Sequence, residues 1–391
     1  MSESRVRVAT VITRLEAGAG AVALRGALAL DPARFETTII AGSGNRLVDD
    51  ARDAGLEVVV EPALVSPIAP RDDVRALRRL IRLLTGRRFD VAHTHSAKAG
   101  ALGRIAARRA GTGRIVHTFH GFPFHEFQSA PVRATYVQIE RRLGTITDLA
   151  LCVGAGVAAE AVRRRLIAPD RIRTIGVATS GTVTPRTSRT REQARRTLGL
   201  PPGAAVVGAV GRLAYQKAPE DFVRAMVSLG RDDVVGVWIG DGPLAPRVRE
   251  LAAHALPRAR LVLTGDRADV RELLPALDVF ALPSRYEGLP VAIMEAIACG
   301  VPVVATAVNA VPDVVVPGRT GLLVPPRRPD LMARALRHLL DHPSEAERMA
   351  RAALAAIGDR LDDAALGQAL TDAYAPSPEL RPPRPQEIPC A

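Results

Sequence analysis

Residues 279–305 read VFALPSRYEGLPVAIMEAIACGVPVVA, and this run decides the fold. Val279–Leu282 is a short continuous apolar stretch, the pattern of a strand buried on both faces. A polar loop, Pro283–Pro290, follows it. Pro290 marks a helix start, because proline suits a first-turn position whose N–H has no intrahelical partner. An apolar helix then leads to Gly300 and a second strand, Val301–Ala305. Strand, loop, helix and strand in succession make one unit of a parallel sheet covered by helices.

The rhythm extends in both directions. Upstream in the same half lie strand candidates Ala205–Val210, Val234–Ile239 and Arg260–Leu263. The first half carries Val6–Ile12, Glu36–Ile40, Leu56–Val60, Val91–His95, Ile115–Phe119 and Leu149–Val153, with helical segments such as Ala19–Leu30, Asp73–Leu84 and Gly100–Ala110 between them. The stretch Ala178–Arg191, rich in Thr, Ser and Arg without apolar periodicity, reads as a linker. The predicted organisation is a first domain over 1–178, a linker over 179–191, a second domain over 192–374 and a proline-rich, disordered tail over 375–391. The fold class is α/β, with two Rossmann-like doubly wound domains facing a central cleft. In such sheets ligands sit beyond the carboxyl ends of the strands, at helix N-termini, so function belongs to the loops that follow each strand.

Composition narrows the function classes. A chain of 391 residues with 47% hydrophobic and 24% charged residues has globular composition with room for two domains. No stretch approaches the roughly 18 apolar residues of a membrane span. Met1–Arg7 lacks a signal pattern, and Cys152, Cys299 and Cys390 are scattered, which suits a reducing cytoplasm. The net charge of +12 raises the question of nucleic acid, but the arginines are spread along the chain and aromatic residues make up only 3%. Without a basic patch or stacking residues, nucleic-acid binding is set aside. Only Lys98 and Lys217 are lysines among 53 basic residues, so each is a candidate for a task that arginine does not perform. Arg71, Arg75, Arg78, Arg79, Arg82, Arg87 and Arg88 accompany Val74, Leu77, Ile81 and Leu84. This basic amphipathic helix over 73–88 is read first as a covering helix of the sheet. Peripheral contact with the inner membrane face is the alternative.

Several loops carry chemistry. Gly18-Ala19-Gly20 follows the first strand and opens a helix, as a phosphate-binding turn does, but Gly154-Ala155-Gly156 matches the same pattern. Close packing of helix on strand is the reading preferred for Gly154. A nicotinamide enzyme also needs an acidic residue after the second strand, where this chain has Ile39-Ile40-Ala41-Gly42-Ser43, so an NAD-dependent oxidoreductase loses its main support. In the second half, Arg212 and Lys217 of Gly211–Lys217 supply two cations for a diphosphate, each charge-assisted hydrogen bond contributing about 1.5–3 kcal/mol. Free amides at Gly288 and Leu289 suit a phosphate or sugar hydroxyls. Glu295 interrupts an otherwise apolar helix, which favours a ribose-binding role over a solvated one. His93, His95, His117 and His120 end two first-domain strands and are expected to line the cleft. The chain has neither D-x-D nor H-E-x-x-H, so no metal ligands are assigned.

Glu287 and Glu295, eight residues apart, resemble the paired glutamates of the family-4 retaining glycosyltransferases, the group 1 glycosyltransferases of GT-B fold. The likeness runs from the first glycine loop to Gly318-Arg319-Thr320-Gly321-Leu322-Leu323. It implies a retaining hexosyl- or N-acetylhexosaminyltransferase that takes a sugar from a nucleotide diphosphate, UDP first on family frequency. It implies no cofactor and no metal, and leaves the acceptor open among glycans, lipid-linked sugars and small molecules. Arg212 and Lys217 would hold the diphosphate, Glu295 the ribose, and Gly265 with Asp266 would face the base. His120 and Glu287 would be catalytic, beside the transferred sugar, while Gly18, Gly20, Gly288 and Leu289 would complete the donor site. A sugar-nucleotide epimerase shares the architecture and is the alternative. The chain departs from the family at Gly18-Ala19-Gly20, at Ile175-Gly176-Val177-Ala178, and where Asn309-Ala310-Val311-Pro312-Asp313 replaces a Gly-Gly-x-Pro-Glu run.

Overall fold

The computed structural model describes residues 5–16, 18–176, 184–256, 260–358 and 362–375. The first part of the expected linker, 179–183, with residues 177–178 before it, and the tail beyond 375 lie outside the described residues.

The first half contains β1 (Val6–Leu15), α1 (Ala19–Leu28), β2 (Phe35–Gly44), α2 (Arg46–Asp53), β3 (Glu57–Val60), α3 (Pro70–Arg87), β4 (Val91–His95), α4 (Ala97–Ala110), β5 (Arg114–Phe119), α5 (Ala130–Gly144), β6 (Leu149–Cys152), α6 (Ala155–Arg163) and β7 (Ile172–Thr174). The second contains α7 (Ser188–Thr197), β8 (Ala205–Val210), α8 (Pro219–Leu229), β9 (Val234–Ile239), α9 (Ala245–Ala255), β10 (Leu261–Leu263), α10 (Val270–Leu273), β11 (Val279–Leu282), α11 (Val291–Cys299), β12 (Val303–Thr306), β13 (Leu322–Val324), α12 (Pro329–Asp341), α13 (Pro343–Ile357) and α14 (Asp363–Tyr374). The strands form a seven-stranded sheet, β3-β2-β1-β4-β5-β6-β7, and a six-stranded sheet, β10-β9-β8-β11-β12-β13. Every ladder is parallel. Both sheets therefore reverse direction between their first and fourth strands, β1/β4 and β8/β11. Such switch points leave a crevice at the strand ends for a ligand.

Apolar faces of strands and helices meet in separate cores. Ala76, Leu80 and Leu84 of α3 pack with Ala9, Val11, Ile40 and Ala92, so this helix does cover the sheet. Ile293, Met294 and Ile297 of α11 pack with Phe280, Leu282, Val303 and Ala305 around the deciding run.

Two boundaries differ from the sequence reading. Part of the expected linker is helical, because Thr187 and Thr190 close a capping box at the start of α7. Arg186, Arg191 and Arg195 then converge on Asp278 at 2.8, 2.8 and 2.7 Å, anchoring a helix that has no apolar stripe to bury. The last helix, α14, falls within 192–374 yet packs on the first sheet. Leu366, Leu370, Ala373 and Tyr374 share a core with Val8, Phe35, Val116 and Leu151.

Candidate active site

The switch point of the second sheet is flanked by the loops after β8 and β11, and these loops interlock. Lys217 Nζ lies 2.5 Å from Glu287 Oε1, with the two side chains 17% and 5% exposed. Ser284 Oγ donates to the same carboxylate oxygen at 2.6 Å, and Gln216 Nε2 donates to Oε2 at 3.2 Å. The backbone N–H of Glu287 donates to Asn309 Oδ1 at 2.9 Å. Glu287 is thus held at both ends, which a buried carboxylate requires. An ammonium has three donors, so Lys217 keeps further donors for an anion beyond its bond to Glu287. Arg212 is exposed, and desolvation by its surroundings followed by the charge of Arg14 lowers its pKa. Arg14 is next to last in β1 of the other sheet, so the end of that strand is near enough for its charge to act on Arg212.

The first domain closes on this loop through its backbone. A Cβ at Gly288 would stand 1.6 Å from the carbonyl oxygen of His120, so only glycine permits this approach. Beside it, the rings of His125 and Tyr286 stack with centroids 4.2 Å apart and planes 9° from parallel. Arg327 lies 4.0 Å from the centre of the Phe127 ring. Both are contacts between domains.

The histidines form a buried network. His120 Nε2 is 2.9 Å from His95 Nδ1, while His93 is hydrogen-bonded by Tyr374 Oη and Thr118 Oγ1, each at 2.7 Å. His117 Nδ1 pairs with Thr94 Oγ1 at 2.9 Å. Burial lowers the His120 pKa to about 4 and, with a contribution from His120, the His93 pKa to about 3. His95 and His117 are shifted in the same direction by burial. All four rings are neutral near pH 7. His93, His95 and His117 are buried; His93 and His95 line a small pocket with Thr10, Thr118 and Tyr374, while the His120 carbonyl faces Gly288 of the loop after β11. Among the described residues no three His, Cys, Asp or Glu side chains group as metal ligands.

The remaining expected site residues are more dispersed. Gly18 caps α1 with φ 69°, a turn that favours glycine, and a Cβ at Gly20 would press on the Arg14 carbonyl oxygen at 3.0 Å. Gly265, at φ 71°, follows β10 and bridges to Gly240, whose N–H donates to its carbonyl at 2.9 Å. Leu289 stands just ahead of α11, whose N-cap is Pro290. Glu295 is largely buried and accepts from Arg271 Nε at 3.2 Å. Burial raises its pKa against the opposing pull of Arg271. Sequence reasoning missed Ser284, Gln216 and Arg271: Gln216 and Arg271 reach their glutamates from other segments, and only Ser284-x-x-Glu287, within one loop, was a local signal. It also misread Gly154. The glycines of Gly154–Gly156 meet the second domain: a Cβ at Gly154 would lie 2.5 Å from Asp313 Oδ2, and at Gly156 2.4 Å from the Asn309 carbonyl oxygen.

Two Rossmann-like sheets with facing strand ends, and the loop Pro283–Pro290 held against the first domain, define the GT-B class of glycosyltransferases. The model of the family described as Glycosyltransferase Family 4 matches residues 17–177, and that described as Glycosyl transferases group 1 matches 190–355. An Escherichia coli UDP-Gal:alpha-D-GlcNAc-diphosphoundecaprenol alpha-1,3-galactosyltransferase is 31% identical over 314 residues, covering 79% of this chain and 81% of the relative. A Corynebacterium diphtheriae D-inositol 3-phosphate glycosyltransferase is 32% identical over 283 residues, 68% of this chain and 66% of the relative. Among solved structures, Anabaena HepE in complex with UDP and glucose superposes with a TM-score of 0.81 at 18% identity, over 94% of this chain and 99% of that one. WaaG, a glycosyltransferase involved in lipopolysaccharide biosynthesis, gives 0.77 at 16% identity, over 95% and 100%. The chain belongs to the group 1 glycosyltransferases, family-4-like, and is a glycosyltransferase using a nucleotide sugar.

Proposed function

We infer that the protein transfers a hexose or N-acetylhexosamine from a UDP-linked donor with retention of configuration, needing neither metal nor cofactor. The observation that carries this reading is the Lys217–Glu287 pair, in the loop whose next residue, Gly288, abuts the His120 carbonyl. Arg212, Lys217 and the amides of Gly288 and Leu289 would stabilise the departing diphosphate, supplying the positive charge that a metal provides in other transferases. Glu295 would accept from the ribose diol, exchanging its bond to Arg271, and Gly265 would border the base. His120 and Glu287 would flank the sugar. On the retaining route, the bond from the anomeric carbon to the diphosphate breaks while the acceptor oxygen bonds on the same face. The acceptor proton passes to the departing phosphate oxygen. UDP is favoured by the UDP-galactose in the name of the Escherichia coli relative and by the ligand of the Anabaena structure.

A thermal-shift screen of UDP-galactose, UDP-glucose and UDP-N-acetylglucosamine against GDP- and dTDP-sugars tests the donor; stabilisation only by a non-uridine sugar overturns it. NMR of the first sugar released tests retention, a β sugar from an α-linked donor being the contrary result. Turnover in EDTA tests the metal claim, and complete loss defeats it.

A membrane-borne acceptor is the second reading. Arg71, Arg75, Arg78 and Arg82 of α3 are exposed, next to Val74 at 50% and Ile68 at 74% exposure. Cations around exposed apolar side chains suit an anionic lipid surface. No helix among the described residues is long and apolar enough to cross a membrane. Flotation with phosphatidylglycerol vesicles, lost on changing the four arginines to glutamine, is the expected result; no flotation of the unaltered protein removes this reading.

A further inference from the structure

The turn Asn309–Asp313 has no part in the substrate contacts assigned above, yet it touches both domains. Asn309 is one of the few non-glycine residues with positive φ, at 46°. Asparagine is among the residues that best tolerate this region, and such strain clusters where function over-determines the backbone. Its side chain accepts the Glu287 N–H at 2.9 Å, while its carbonyl presses toward Gly156 of the first domain. Four residues on, Asp313 Oδ2 accepts the Gly156 N–H at 3.0 Å. This is the opening turn of the nine-residue helix α6, whose own N-cap, Gly154, offers no side-chain acceptor. The second domain therefore supplies the missing cap, and it does so with a carboxylate, which the positive end of a helix favours. Ala310 seals the contact by packing with Val153, Val157 and Ala161.

We propose that Asn309 and Asp313 are positioning residues that transmit docking of the first domain to Glu287. With α6 seated on Asp313, the turn is fixed and Asn309 holds the Glu287 backbone in place. With α6 withdrawn, Asn309 loses its abutment and the carboxylate drifts. The donor site would then bind nucleotide in either state but turn over only when docked. The inference rests on the assignment of Glu287 to the reaction centre.

The test uses the full chain and separates binding from turnover. UDP affinity is read from the fluorescence of Trp238, the single tryptophan, whose Nε1 donates to the Gly211 carbonyl in the phosphate loop at 2.8 Å. Turnover is read as UDP released into water from the UDP-sugar that stabilises the protein most. Asn309→Ala and Asp313→Ala are expected to lower kcat by about tenfold or more, with UDP affinity within about twofold of the unaltered protein, because misplacement rather than binding is at stake. Asp313→Asn keeps an acceptor oxygen and should restore most of the rate. Gly156→Ala, in the other domain, should reproduce the kcat defect, and pairing it with Asp313→Ala should add little, as coupled sites do. Arg163→Ala, exposed on α6, serves as the unaffected control. Unchanged kcat in Asp313→Ala and Gly156→Ala overturns the proposal, as does a loss of UDP affinity equal to the loss of rate. Glu287→Gln is run alongside: full turnover there removes the reaction-centre assignment, a failure distinct from that of the coupling.

Discussion

Replacing Gly288 by alanine puts the closed cleft to its sharpest test. The added Cβ would lie 1.6 Å from the His120 carbonyl oxygen, with the His120 carbonyl carbon at 2.5 Å. Non-bonded heavy atoms settle near 3.5 Å, so the two walls must part locally by about 2 Å. Both atoms of the clash belong to backbone, so no side chain can swing aside. A displacement of about 1 Å at a reacting centre can cost about 100-fold in rate. The expected loss in kcat is therefore at least about 100-fold, equivalent to about 2.7 kcal/mol of transition-state stabilisation. UDP affinity should change by less than about threefold, since the amide of residue 288 survives and the cations contribute most of the binding. UDP titration by Trp238 fluorescence and UDP release from the donor give the two quantities. Gly86→Ala is the control: it lies in α3 with open space around its Cβ position. There alanine should be neutral or stabilising by up to about 1 kcal/mol. A Gly288→Ala enzyme with kcat within about threefold of the unaltered protein would refute the closed arrangement as the working one.

Neutralising Lys217 and Arg212 together should weaken UDP binding by at least about 100-fold, from two lost charge-assisted bonds of about 1.5–3 kcal/mol each; an unchanged titration would remove the diphosphate site. In the first domain, Arg104 and Glu140 pair at 2.8 Å with side chains 1% and 3% exposed. Arg104→Met strands the carboxylate and should cost about 3–5 kcal/mol in urea denaturation, whereas changing both residues to methionine should recover most of it. Acid should destabilise the fold through the histidines. The folded pKa values of about 4 for His120 and about 3 for His93 lie below the ordinary 6.5, so the unfolded chain binds protons first as pH falls. Stability from these rings is complete above 6.5 and declines below it, so urea midpoints should drop between pH 7 and 5, before most carboxylates titrate. Flat midpoints across that window would show the rings charged in the native state.

What could be read from the sequence, and what could not, divides along the range of the forces involved. The run 279–305 declares itself because continuous apolar strands can be satisfied only inside a sheet, and that requirement is written in adjacent residues. Helix α7 does not, because its stabiliser, Asp278, lies 87 residues from Arg191. The same distance hides Tyr374, which bonds His93 across 281 positions and ties α14 to the first sheet. Glu287 was legible as a candidate, but its partner Lys217 is 70 residues away, and their pairing makes the lysine a support for the carboxylate as well as a cation for phosphate. The glycine patterns show the limit most clearly. Gly18 is needed for its positive φ, a local property, whereas Gly154 and Gly156 are needed because another domain's turn arrives within bonding distance. A glycine pair announces that something comes close to the backbone. Whether that something is a phosphate or a neighbouring domain is decided by what stands opposite, and here Asp313, a carboxylate, occupies the place where a phosphate would sit.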